Sequence, residues 1–194
     1  MQRELLNMLR KTLGSELSKR KRRKSSSVIV VIVLSVAIFF IDQWLREPAM
    51  PTPNPGTDLS CEVREVYDGD TVTAGCEAGK LKIRVWGIDA PEKKQKPWGD
   101  QSQEYLKKLV DGKTVQVQVT DTDRYGRSVA RLFVAGQDAG LQMVREGYAI
   151  VYEQYNDSQG YRDAQAEAQR AKLGVWSQPG DQQDPAAWRR LNSR

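Results

Sequence analysis

Ile83-Arg84-Val85-Trp86-Gly87-Ile88-Asp89-Ala90-Pro91-Glu92, read together with Asp68-Gly69-Asp70 just upstream, is the stretch on which the rest of the chain is organised. It begins as a strand: Leu81, Ile83 and Val85 alternate with Lys82, Arg84 and Trp86, so with the aliphatic set facing a core Arg84 faces the other way. Gly87 loosens that strand. Asp89-Ala90-Pro91-Glu92 then turns the chain, because proline cannot continue a ladder and restricts the residue before it. An arginine and two carboxylates are thereby brought together at a strand end, with two more aspartates upstream. Hard divalent cations take oxygen ligands, and a phosphate requires arginine counter-charges. The cluster supplies both.

At 194 residues the chain suits one domain with appendages. Its net charge of +5 suggests an anionic partner until the charges are located. Residues 1–27 hold nine Lys/Arg against two Asp/Glu, a net of +7, leaving 21 basic against 23 acidic residues, a net of −2, for the remainder. Phosphate binding in the globular part must therefore come from a few placed arginines and not from a general positive field. There is no histidine in the chain. This excludes Ser-His-Asp and Cys-His nucleophilic chemistry, His-ligated zinc and histidine acid–base catalysis. Carboxylates, arginines and tyrosines remain.

Leucines at 5, 6, 9, 13 and 17 suit an amphipathic helix, and Lys19-Arg20-Lys21-Arg22-Arg23-Lys24 follows it. Alone, that basic run would be a solvated patch, a nuclear-localisation signal or an RNA contact. The 14-residue apolar run from Val28 to Ile41, directly behind it, favours a membrane signal anchor instead. The span is extended by Ser25 to Ser27 and by Trp44 and Leu45. Ser35-Val36-Ala37 resembles a cleavage site but lies inside the run, so an uncleaved anchor is preferred to a cleaved signal peptide. The positive-inside rule keeps the basic cluster cytoplasmic. The expectation is a single-pass protein of a bacterial inner membrane with its globular part on the extracytoplasmic side. The expected organisation is a cytoplasmic segment at 1–27, a transmembrane anchor at 28–45, a proline-rich spacer at 46–58, a globular domain at 59–177 and a tail at 178–194.

In the domain, Asp68-Gly69 signals a hairpin turn. Cys61 and Cys76 lie equidistant from it, so a cross-strand disulfide is geometrically reasonable and an oxidising compartment favours it; the alternative is two buried free thiols. Asp100 to Gln103 resembles a capping box opening a helix that Asp111-Gly112 ends. Val115, Val117 and Val119 alternate along a half-exposed strand, Asp123 to Arg127 turns, and Ser128 to Val134 is a further strand. Asp138 caps a short helix stopped by Gly147. Tyr148 to Tyr155 is extended, Asp157 to Lys172 is helical, Val175 and Trp176 dock behind it, and Asp184-Pro185 opens a short helix around Trp188. This order predicts an α+β fold: a five-stranded barrel of the OB type with about three packed helices, preceded by one transmembrane helix.

Taken singly, Asp68-Gly69-Asp70 is a plain turn, Arg84 a surface residue and Tyr125-Gly126 an ordinary bend. Together, however, the segments Val66 to Val72, Ile83 to Glu92 and Asp123 to Ser128, supported by Leu141 to Ala149 and Leu173 to Ser177, resemble the staphylococcal nuclease-like (thermonuclease) family over roughly residues 59–177. The resemblance implies that Asp70, Asp89 and the backbone carbonyl of Ala90 ligate Ca2+, with Asp68 behind them. It also implies that Glu92 handles the attacking water, that Arg84 and Arg127 grip the phosphate, and that Arg124 and Tyr125 contact the nucleotide. Ala90 departs from members with threonine there, which removes a hydroxyl contact.

The implied activity is calcium-dependent, sequence-nonspecific hydrolysis of DNA and RNA phosphodiesters to 3'-phosphate and 5'-hydroxyl ends. The bilayer is the other expected partner, through residues 28–45, and no protein partner is expected. Two alternatives are a tethered, inactive OB-type module that holds nucleic acid or protein, and an interaction protein whose working part is the cytoplasmic helix. Loss of Arg84, Glu92 or Arg127 would mark the inactive module, and all three are present.

Overall fold

The computed structural model describes residues 51–192 together with Ile32, Leu34, Ser35, Val36 and Phe39. The chain divides into two compact units, Met1–Glu47 and Pro48–Arg194. In the first, the five described residues are helical. Among the described residues no helix is long and apolar enough to cross a membrane. The rest of the expected span at 28–45, all of 1–27 and residues 46–50 of the spacer lie outside the described residues.

The second unit is built on strands β1 (Asp58–Val66), β2 (Thr71–Cys76), β3 (Gly79–Val85), β5 (Thr114–Thr122) and β6 (Ser128–Val134). They run in the order β3-β2-β1-β5-β6, and β3 returns to pair with β6, closing a five-stranded barrel of the OB type. The closing pair is parallel, with Ile83 opposite Ser128 and Val85 opposite Ala130; the other barrel pairs are antiparallel. The alternation anticipated from sequence sets the faces, since Ile83, Val85, Val115, Val117, Val119 and Leu132 are buried inside. Short strands β4 (Ile88–Asp89) and β8 (Ile150–Val151) pair apart from the barrel, and β7 (Gln137–Asp138) extends it from β6. The segment Tyr148 to Tyr155 is thus extended only at β8, after which Tyr155 N–H bonds Tyr152 O in a turn.

The hairpin register is the expected one at its far end: Cys61 pairs with Cys76 and the two form a disulfide. A bulge between Val63 and Glu65 then shifts the register toward the turn. The spacer is not free up to residue 58, because Gly56 N–H donates to Val119 O at 2.8 Å and Val119 N–H donates to Thr57 O at 2.9 Å.

Among the described residues of this unit four α-helices are interposed with and follow the strands: α1 (Trp98–Val110) between β4 and β5, α2 (Ala139–Arg145) after β7, and α3 (Gln159–Ala171) and α4 (Pro185–Asn192) after β8. Leu106 and Val110 of α1, Met143 and Val144 of α2, and Tyr161, Ala164 and Ala168 of α3 are buried in the core. Two helix starts differ from expectation. The capping box at Asp100 does not form: α1 starts two residues earlier behind Pro97, Asp100 pairs with Lys96, and Gln103 donates its amide to Val66 O and Tyr67 O, each at 2.9 Å. Asp157 likewise precedes α3, which Ser158 opens. Asp138 does cap α2, accepting from Leu141 N–H, and also accepts from Arg131 and the buried Tyr161 hydroxyl.

Candidate active site

The β1–β2 turn, the end of β3 with the turn after β4, and the β5–β6 turn open onto one cleft of about 890 Å³. Asp68, Asp70, Arg84, Glu92, Arg124, Tyr125 and Arg127 all line it, so segments far apart in the chain share one mouth. Gly87 makes the bend from β3 into β4. Its φ is +73°, and a Cβ there would stand 2.5 Å from the Asn156 amide nitrogen, which donates to Gly87 O.

Asp70 and Asp89 are both buried and both face Arg84, whose guanidinium lies 2.5 Å from Asp70 Oδ2 and 3.6 Å from Asp89 Oδ1. Asp70 Oδ2 also accepts from Ala90 N–H at 3.1 Å, and Thr71 Oγ1 donates to Oδ1 at 3.1 Å. Asp68 stands behind, its Oδ1 accepting from Asp70 N–H at 3.0 Å. Burial pushes the Asp70 carboxyl above the usual aspartate range; Arg84 opposes this, the Asp68 charge adds to it, and the Ala90 and Thr71 hydrogen bonds only partly offset it.

Arg127 is aimed by Asp123. Its Nε donates to Asp123 Oδ2 at 2.6 Å, and its backbone N–H and that of Tyr125 donate to Oδ1. Burial works against the Asp123 charge, but these donors from Arg127 and Tyr125 outweigh it and hold the carboxyl below its usual range. Arg127 Nη1 also donates to Thr71 Oγ1 at 3.2 Å, so one hydroxyl links Arg127 to Asp70. The sequence reading passed over Thr71, a residue ordinary in a strand. Tyr125 is 69% exposed at the rim, bonded to Arg124 Nη2 at 2.8 Å and under its guanidinium.

Glu92 is fixed through its backbone. Its N–H donates to the side chain of the buried Gln95 at 3.1 Å, and Gln95 N–H donates back to Glu92 O at 2.8 Å. The first turn of α1 packs on the same carbonyl: a Cβ on Gly99 would lie 2.0 Å from Glu92 O, so only glycine permits that approach.

Sequence reasoning also missed Arg189, placed in a tail outside the matching motifs. From α4 it donates Nη1 to Asp89 Oδ1 and to Glu92 Oε1, each at 2.9 Å, and Nη2 to Asp89 Oδ2 at 2.8 Å. Hydrogen bonds to Asp89 and Glu92 outweigh the burial that opposes them and raise its pKa further. No local pattern distinguishes Arg189 from Arg190; only the tertiary path of the tail does.

In chemistry, though not in their present arrangement, the donors at the end of β3 are those of a hard divalent cation. Asp70 and Asp89 are buried, offer oxygen only, and share a single barrel arginine between them. Among the described residues, no group of three or more His, Cys, Asp or Glu side chains is arranged to hold a metal ion, and both Asp89 oxygens accept from Arg189.

The family of staphylococcal nuclease homologues matches residues 82–178. A protein of Escherichia coli O157:H7 named as an uncharacterized endonuclease is 41% identical over 133 residues, 68% of this chain and 86% of its own length. A Haemophilus influenzae protein of the same name is 37% identical over 132 residues, 68% of this chain and 73% of its own. A micrococcal nuclease of Shigella flexneri is 35% identical over 147 residues, 70% and 83% of the two chains. With this similarity running through the segments that carry Arg84, Asp89, Glu92 and Arg127, the chain belongs to the staphylococcal nuclease family and is a nuclease, a phosphodiester hydrolase.

Proposed function

We propose that this nuclease is calcium-dependent and sequence-nonspecific, cutting DNA and RNA to 3'-phosphate and 5'-hydroxyl ends, and that it works on the extracytoplasmic side of a membrane to which residues 28–45 anchor it. The observation that carries the reading is the convergence of Asp70, Arg84, Glu92 and Arg127 at one cleft, with the buried Asp89 ion-paired to Arg84 behind them. Asp70, Asp89 and the Ala90 carbonyl would hold the calcium ion, with Asp68 behind. When bound, the ion polarises the phosphoryl oxygen and offsets charge developing on it.

The chain's own residues supply the rest. Glu92 accepts a proton from the attacking water. Arg84 and Arg127 donate to phosphate oxygens and stabilise the added negative charge as the bond to the 5'-oxygen breaks, and that oxygen leaves as a hydroxyl by taking a proton from solvent, to which Glu92 returns its own. Asp123 keeps Arg127 pointed into the cleft, and Thr71 couples it to Asp70. Arg124 and the exposed Tyr125 offer a guanidinium and a ring face to the nucleotide at the rim. The Cys61–Cys76 disulfide supports an oxidising compartment, and the basic run at 19–24 before the apolar segment supports the orientation.

The test is to incubate the purified full chain with single-stranded and duplex DNA and RNA, with calcium or with a chelator, beside Glu92→Gln and Arg127→Ala. Calcium-dependent cleavage that each substitution lowers by about 100-fold or more is the expected result. A folded wild type that binds nucleic acid and never cuts it would leave a binding module in place of the enzyme. Protease accessibility of the domain from the outer face of spheroplasts checks the placement.

A further inference from the structure

Three observations converge on α4. Its Arg189 occupies both oxygens of Asp89 and one of Glu92, so the carboxylates that would serve a cation and a water are held by a guanidinium of the same chain. The helix is lightly seated: of its eight residues only Pro185 is buried, and Leu191 is 80% exposed. The tail is also joined to the loop that carries Glu92. Gln95, which accepts from Glu92 N–H, donates Nε2 to Asp181 O at 2.9 Å in the 3-10 turn Asp181–Gln183 immediately before α4. Asp184 caps α4 by accepting from Ala187 N–H at 2.8 Å, so the helix continues from that tethered turn.

We propose that Arg189 is a built-in occupant of the cation site, and that a divalent cation and α4 compete for Asp89 and Glu92. A guanidinium and a divalent cation both neutralise carboxylates, and both Asp89 oxygens cannot serve the two fully at once. In the cation-free protein Arg189 of α4 is the counter-charge of Asp89 and Glu92 in the cleft wall; loading the site releases Arg189 and frees the carboxylate of Glu92. The tail thereby couples metal occupancy to the state of Glu92, and a fraction of the cation's affinity is spent on displacing it. The inference rests on the reading of Asp70 and Asp89 as cation ligands.

Calcium affinity of the full chain, measured by titration calorimetry and by displacement of luminescent terbium, tests it without reference to turnover. Arg189→Gln is expected to tighten calcium binding by about three- to tenfold. Arg189→Lys, whose single ammonium cannot span Asp89 and Glu92 as the planar fork does, is expected to fall between it and wild type. In wild type, calcium is expected to speed hydrogen exchange of the amides at 187–192, and a chelator to restore their protection. Asp70→Asn separates the two layers. Undiminished calcium binding in that variant would overturn the cation-site reading and this inference with it. Loss of binding there, with Arg189→Gln and Arg189→Lys both at wild-type affinity or weaker, would overturn the inference alone. Exchange in α4 that calcium leaves unchanged or slows would also overturn it.

Discussion

Glu92 is positioned from behind by a residue with no side chain. The Gly99 Cα lies against the Glu92 carbonyl, and a methyl there would meet backbone, which cannot swing aside. In an exposed helix, glycine to alanine stabilises by about 1 kcal/mol. Here Gly99→Ala should do the reverse, lowering Tm and, by shifting the Glu92 turn, lowering kcat/KM by about 10–100-fold, which steady-state kinetics beside thermal unfolding would check. Asp123 gives a second prediction, one of pH. Its folded pKa is depressed, so its contribution to stability is complete above the ordinary value of 3.8 and is lost as pH falls through the lower folded value. Asp123→Asn should therefore lower Tm at neutral pH, a gap that narrows as the solution is acidified below the ordinary aspartate range.

Among elements, α1 links the two halves of the site. Its first turn sets the Glu92 turn through Gly99, and its Gln103 holds Val66 O and Tyr67 O at the mouth of the β1–β2 turn that carries Asp68 and Asp70. The same hairpin is clamped at its far end by Cys61–Cys76, a sequence separation of 15 residues. Closing a loop of that length restricts the unfolded chain by about 3 kcal/mol, so Cys61→Ser with Cys76→Ser should lower stability by about that amount. Because the bridge lies at the end of the hairpin away from the catalytic turn, cleavage measured well below the new Tm should stay within about twofold of wild type. Denaturant unfolding with and without reductant, alongside the double variant, checks both statements.

For the whole molecule, the residues that line the cleft come from the second unit, Pro48–Arg194. Removing residues 1–27 should therefore leave cleavage of DNA and RNA by the remaining chain within about twofold, while fractionation of cells expressing the shortened chain reports what the basic segment adds to membrane orientation. A loss of cleavage on that deletion would point to residues 1–27 as the working part.

The barrel could be read from sequence because period-two alternation follows from the pleat and needs no distant partner: Val115, Val117 and Val119, or Leu81, Ile83 and Val85, declare their inner face locally. The same holds for the Cys61–Cys76 pairing and for Asp138 as a cap, where turn and cap chemistry act over a few residues. The resemblance implied roles for Asp70, Arg84, Asp89, Glu92 and Arg127; the cleft shared by Asp70, Arg84, Glu92 and Arg127 follows once β3 closes on β6. The capping pattern lost to other partners: Asp100 went to Lys96, four residues before it, and Gln103 to the distant carbonyls of Val66 and Tyr67. Thr71 as a relay, Gly99 as a contact and Arg189 as a counter-ion were decided only in three dimensions. Thr71 and Arg189 owe their roles to partners at long sequence separation, Arg127 being 56 residues from Thr71 and Asp89 100 from Arg189, and the Gly99 contact depends on how the loop after Glu92 folds back; no local pattern encodes such meetings.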